Sequence, residues 1–139
     1  MIFKFTISGR EDQIVQFEKK LLDILNKTGR MDEVTSHEIH FCVHEAILNI
    51  IQHTYKWDLD KLIEIRVDIT DEEEKQIFEV WIRDFGESID KPIFPPRKVG
   101  QFQLRKRGVY MISKIMDEFY VKPHHEIGNV TYMKKIFIL

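Results

Sequence analysis

A chain of 139 residues is sized for one domain with one core. Its formal net charge of −2, from 21 basic and 23 acidic residues, implies no general affinity for nucleic acid or for a membrane surface. Cys42 is the single cysteine, which excludes an intrachain disulfide framework and suits a reducing cytoplasm, and no apolar run is long enough to span a bilayer. The opening MIFKFTISGRED lacks a signal-peptide pattern, because its apolar residues alternate and acids follow at once. No repeat, low-complexity tract or linker interrupts the chain, so residues 1–139 are expected to form a single cytoplasmic domain.

Residues 2–8, IFKFTIS, alternate and are rich in β-formers, predicting a first strand. Ser8 and Glu11 form a Ser-x-x-Glu box, a helix-start signal, and Ile14, Phe17, Leu21, Ile24 and Leu25 then recur at helical spacing. Gly29 ends that helix. Thr35 and Glu38 form a second box that opens a second helix. LIEIRVDIT reads as a strand from Leu62, the acidic DEEEK as a solvated hairpin turn, and QIFEVWIR as the returning strand. From Asp84 to Arg107 the chain reads as irregular, with Pro92, Pro95 and Pro96 and a run of basic residues; a stretch of that length is ordinarily functional or mobile. Gly108 precedes a third helix carrying Val109, Ile112, Ile115 and Met116. EFYVKP and NVTYMKKIFIL complete the order as a last pair of strands. Hairpin-paired strands with helices grouped on one side predict an α+β two-layer sandwich: a mixed, mostly antiparallel sheet covered by helices on one face.

The second helix carries HEAILNIIQHTY, His44 to Tyr55. At about 100° per residue, Ile39, Val43, Ala46, Ile47 and Ile50 form the stripe that faces the sheet. Glu45, Asn49 and His53 form a neighbouring stripe that drifts by about 40° per step, on the border where polar groups meet a cleft. Boundary positions are often polar, but asparagine is unfavourable inside a helix, which tilts the balance towards a task for Asn49. His37, His40 and His44 share another face, and His40 and His44 have the spacing of a metal pair. No cysteine or carboxylate in the pattern completes a ligand set, so a solvated face is the better reading. HEAIL also fails the His-Glu-x-x-His zinc pattern, since Leu48 stands at the second histidine. Nothing near Cys42 would lower its pKa, and it reads as a packing residue.

Further features appear in order: Asp84 and Gly86 just after a strand in VWIRDFGESID, Gly108 opening a helix in RGVYMISKIMDEF, and a glycine before the last strand in EIGNVTYMKKI. With EAILNIIQHTY, they resemble the GHKL (histidine-kinase-like) ATPases, and within them the anti-sigma factor serine/threonine kinases of stress and sporulation regulation. The resemblance covers nearly the whole chain. The family's Glu-Ala-x-x-Asn-x-x-x-His-x-Tyr motif is matched at Glu45, Ala46, Asn49, His53 and Tyr55. Its Asp-x-Gly-x-Gly box is matched at Asp84 and Gly86, with Ser88 in the last place. Lys106 replaces the first glycine of the second box, leaving RKRG, and Asn129 stands where many relatives have threonine.

The resemblance implies a Bergerat-type ATP-binding fold. It implies Glu45 as general base, Asn49 as the ligand of Mg²⁺ bound to ATP phosphates, and Asp84 as acceptor of the adenine amino group. His53, Gly86, Ser88, Val109 and Asn129 belong to the implied nucleotide site. Gly108 is implied to meet phosphate at a helix N-terminus, with Arg105, Lys106 and Arg107 adding charge in a lid that spans Asp84 to Arg107. The implied activity is an anti-sigma factor that phosphorylates a serine on a small STAS-domain anti-anti-sigma factor and acts by partner switching. The implied ligands are ATP and ADP with Mg²⁺, and the implied partners are the STAS protein, a sigma factor and a second copy in a homodimer. The RKRG lid supports an alternative, a docking module of the same fold with weak or no turnover. The catalytic domain of a two-component histidine kinase is disfavoured, since the chain shows no sensor segment and no helix pair with a phosphoacceptor histidine. A nucleic-acid binder is disfavoured because the basic residues concentrate in one loop.

Overall fold

The computed structural model describes the backbone of residues 1–93 and 104–139, and side chains except those of 94–107. The chain runs β1 (Ile2–Ser8), α1 (Glu11–Lys27), α2 (Glu33–Asn49), a π-helical turn (Ile50–Thr54), β2 (Leu62–Asp71), β3 (Lys75–Asp84), α3 (Leu104–Ile115), β4 (Glu118–Pro123) and β5 (Asn129–Ile138). The expected order of strands and helices is therefore the observed one, and the class is α+β.

Among the described residues, five strands lie in the order β1-β2-β3-β5-β4. All four pairings are antiparallel, so the sheet is more uniform than the mixed one expected. Alternation in β2 and β3 decides which face is covered. Ile63, Ile65, Val67 and Ile69 point inward with Phe78, Val80 and Ile82, and all are buried. Onto that face fold Ile14, Phe17, Leu21 and Leu25 of α1, Ile39, Val43, Ala46 and Ile47 of α2, and Ile112 of α3. Such contiguous burial, at roughly 25 cal/mol per Å² of apolar surface, is the main force holding the helices to the sheet. The opposite face carries a row of rings and cations across four strands. Arg66 lies over Trp81 at 4.9 Å, Trp81 meets Tyr132 at 5.4 Å, Tyr132 stacks on Tyr120 at 4.9 Å, and Lys122 covers Tyr120 at 4.2 Å.

Helix starts differ from the expected ones. Ser8 remains in β1 and α1 begins beyond Arg10, so the Ser8–Glu11 box does not form; the Gln13 side chain instead accepts from the Ser8 N–H at 2.9 Å. The second helix is capped one turn before Thr35, by Asp32, whose carboxylate accepts from the Thr35 N–H at 2.7 Å. α1 ends before Gly29 as expected, and the buried Gln76 completes that end by donating to the Thr28 carbonyl at 3.1 Å and accepting from the Arg30 N–H at 2.8 Å.

The largest shift is at α3. It begins at Leu104, so Gly108 is its fifth residue and not a residue ahead of its first turn. Lys106, in place of a glycine, and its neighbours Leu104, Arg105 and Arg107 are all good helix formers, which lets the helix start a turn early. The amide groups without an intrahelical partner are then those of residues 104–107. Of the expected lid, residues 94–103 lie outside the described residues. Before them, Ile93 pairs with Val121 in a short bridge.

Candidate functional site

The site is built on α2 and the π turn that continues it. Glu45 and Asn49 lie one turn apart, half-buried beside the apolar stripe, as their spacing requires. α3 crosses them at Gly108. A Cβ on Gly108 would stand 2.7 Å from Glu45 Oε2 and 3.9 Å from Asn49 Nδ2. The bare glycine therefore lets a helix backbone close on a carboxylate and a carboxamide that are far away in sequence. Arg105, Lys106 and Arg107 occupy the first turn of that helix, and their side chains are outside the described set. Val109 packs against the core from the same helix.

His53 does not continue an α-helical stripe. Residues 50–54 form the π turn, closed by the Tyr55 N–H donating to the Ile50 carbonyl at 2.8 Å. The wider turn rotates the chain less per residue, which offsets the drift of the stripe and keeps His53 nearer the line of Asn49. Such turns are frequent at functional sites. Lys56 and Trp57 follow at φ 48° and 68°, left-handed conformations that end the helix sharply.

A second cluster forms at the end of β3. Asp84 is 2 % exposed. Its Oδ1 accepts from the Gly86 N–H at 3.0 Å and from Asn129 Nδ2 at 3.2 Å. Burial raises its pKa, and those hydrogen bonds and the nearby Arg83 partly counter the rise. Asn129 faces Asp84 across the β3–β5 ladder and stitches the next segment down. Its Nδ2 donates to the Glu87 carbonyl at 3.0 Å, and its Oδ1 accepts from the Ile89 N–H at 2.9 Å. Ser88 is exposed, its hydroxyl donating to the Gly128 carbonyl at 3.3 Å.

Two residues outside the expected set join the clusters. The buried Tyr55 hydroxyl donates to the Leu62 carbonyl and accepts from the Phe85 N–H at 2.8 Å, tying the end of the π turn to the residue after Asp84. Gly86 closes the same gap: a Cβ there would stand 2.4 Å from the Thr54 methyl. Gly128 has φ 85°, and a Cβ there would stand 1.9 Å from the Asp84 carbonyl oxygen. Both added residues lie inside the motifs that carried the resemblance, Tyr55 at the end of the helix motif and Gly128 in EIGNV.

The histidine face is not a free one. His40 and His44 are half-buried against α1, where the Glu18 carboxylate receives His40 Nε2 at 3.0 Å and His44 Nδ1 on its other oxygen. Of the three, His37 alone is exposed, with Glu33 at 3.8 Å. Among the described residues no group of three His, Cys, Asp or Glu is placed to hold a metal ion. Cys42 is fully buried and its thiol is pushed up to about 12 by burial, which fits a packing role.

A helix-covered antiparallel sheet, with an acid and an asparagine on one helix face and a buried aspartate at the end of a central strand, defines the class of histidine-kinase-like ATPase domains. The model of the histidine kinase-like ATPase domain family matches residues 7–135, and the chain belongs to that family. The chain is also similar to the serine-protein kinase RsbW of Bacillus subtilis (strain 168), 30% identical over 101 residues. That match covers 67% of this chain and 59% of the relative's own length. No described helix is long and apolar enough to cross a membrane.

Proposed function

We propose that the chain is an anti-sigma factor with ATP-dependent protein-serine/threonine kinase activity towards a STAS-domain anti-anti-sigma factor. The observation that carries this reading is the closure of α3 on Glu45 and Asn49 at Gly108. It leaves a base and a carboxamide beside a helix whose first-turn amides and Arg105, Lys106 and Arg107 can receive phosphate.

The residues present fit a magnesium nucleotide. Asp84 Oδ2 has a long contact, 3.5 Å, to Asn129 Nδ2, and so keeps capacity to accept from an adenine amino group. Gly86 offers backbone without a side chain next to it. Asn49 would hold Mg²⁺ through its amide oxygen, and the ion would neutralise charge on the phosphates. His53, Ser88, Val109 and Asn129 would border the nucleotide, Asn129 by fixing Asp84 and the 84–89 segment. Glu45 accepts the serine proton as the serine oxygen bonds to the γ-phosphorus. The bond from that phosphorus to the bridging oxygen breaks, and ADP leaves. Phosphoryl transfer of this kind depends mainly on positioning and charge neutralisation. Partner switching follows: the unphosphorylated STAS protein holds the kinase, and its phosphorylation frees the kinase, acting as a homodimer, to hold a sigma factor.

The deciding experiment pairs two measurements on Glu45→Ala: calorimetric titration with ADP and ATP, with and without Mg²⁺, and phosphate incorporated into a neighbour-encoded STAS protein. Nucleotide affinity is expected to persist, while transfer falls by about 10²–10⁴-fold, the usual contribution of a general base. Wild-type transfer by the variant would refute the role of Glu45. One observation favours the second reading, a non-catalytic docking module: α3 starts a turn early because Lys106 stands in the glycine's place. If the unmodified chain binds ATP yet transfers nothing to its STAS neighbours, that reading replaces the first.

A further inference from the structure

Between α2 and the end of α3 runs a groove of about 450 Å³ lined by Glu33, Val34, His37, Glu38, Phe41 and Ile115. Its floor is apolar and open. Val34 is 68% exposed and Phe41 38%, and Met111, one turn before Ile115 on α3, is 44%. Exposed apolar residues that gather in one place, rather than scatter singly, mark a contact surface. On α2, Val34, Glu38, Phe41 and Glu45 fall on one face at steps of three and four residues, so the floor lies in line with Glu45. From Val34 to Phe41 the helix rises about 10 Å, the length of some two turns of a partner helix. The rim is acidic. Glu33 is almost fully exposed, with His37 at 3.8 Å, and Asp32 caps the same end. Two cations near α3 are turned to other partners: Lys135 donates to the Ile115 carbonyl at 2.7 Å, and Lys114 lies over Tyr110.

We propose that this groove docks an amphipathic helix of a partner protein, one with an apolar stripe at i, i+3/i+4, i+7 and lysine or arginine on its flanks. The apolar floor takes the stripe, as in other helix-in-groove contacts, and the acidic rim selects the sign of the flanks. The surface lies apart from the Asp84–Asn129 cluster, and the inference does not depend on phosphoryl transfer.

The test uses the full chain and synthetic helical peptides of about three turns, long enough to cover the groove with both flanks. One peptide carries a leucine stripe with lysine flanks, a second the same stripe with glutamate flanks. Methyl NMR and calorimetry are expected to show saturable binding of the first alone, weakened by salt, with shifts at Val34, Met111 and Ile115. Val34→Glu and Glu38→Lys are each expected to weaken it by about tenfold or more, with melting temperature and ADP affinity kept. Phe41→Ser provides a second floor variant should Val34→Glu lose its fold. Absence of saturable binding, equal binding of the glutamate-flanked peptide, or shifts on the open sheet face would overturn the proposal. So would self-association of the chain that Val34→Glu abolishes, which would give the groove to a second copy.

Discussion

Gly108 is the residue where helix propensity and site geometry pull in opposite directions. Inside a helix, alanine is favoured over glycine by about 0.8–1 kcal/mol. Here the added methyl would reach Glu45 Oε2, the far end of a side chain that can swing away. Gly108→Ala is therefore expected to keep or raise the melting temperature, while phosphoryl transfer falls by about 10²-fold from a misplaced base. Thermal melts beside transfer rates check this; undiminished transfer would remove Gly108 from the site. Asp84 gives a prediction in pH. Burial holds its folded pKa above the ordinary 3.8. Its contribution to stability is thus fully present below pH 3.8 and is lost as pH rises through the folded value. The substitution Asp84→Asn keeps an acceptor for the Gly86 N–H without the charge. The variant should gain on the wild type as pH rises from about 4 to 7, seen in urea unfolding, while adenine-nucleotide affinity drops. Asn49 was legible by type, since asparagine is disfavoured inside a helix, whereas Glu45 and Asp84 took their roles from the resemblance alone, because polar residues are common at helix borders and aspartate at strand-ending turns. Their closeness to Gly108 and Asn129 was implied by the resemblance and not by spacing, since no spacing relates residues on separate elements until the sheet order is known.

The elements themselves were legible in order and type, because β2 and β3 alternate strictly and α1 keeps helical periodicity. Their ends were less so. In MDEVTSHE the expected start at Thr35 gives way to one a turn earlier, capped by Asp32, which adds a turn of backbone hydrogen bonds. At Ser8 the same signal fails because the residue is still paired to Leu62 in the β1–β2 ladder. The π turn leaves no trace in the spacing of HEAILNIIQHTY, since one extra residue in a turn changes direction and not composition. Asp32→Ala tests the observed cap. The Thr35 N–H holds the Asp32 carboxyl below its ordinary value of 3.8. The cap therefore stabilises α2 above pH 3.8, and that contribution fades as pH falls through the lower folded value. Denaturation of wild type and variant should differ at neutral pH and converge in acid; a constant difference would mean the carboxylate is not the cap.

At the scale of the whole molecule, nucleotide binding and folding share one equilibrium. A ligand that binds only the folded chain adds about 2.7 kcal/mol at a hundred times its Kd. Mg·ADP is accordingly expected to raise the melting temperature, and Asn49→Ala to erase the magnesium-dependent part of the rise. The variant's own melting temperature should change little, because Asn49 borders the core and does not fill it. A full magnesium-dependent rise in Asn49→Ala would remove it as the metal-binding residue. The two tryptophans also give the chain an optical asymmetry. Trp81 is clamped between Arg66 and Tyr132, whereas Trp57 stands 62% exposed just beyond the π turn that carries His53. In a Trp81→Phe protein the remaining indole emission would come from Trp57 alone. The sharp helix end at Lys56 and Trp57 would then act as a built-in lamp, whose colour and quenching by iodide follow what happens at the adjoining site.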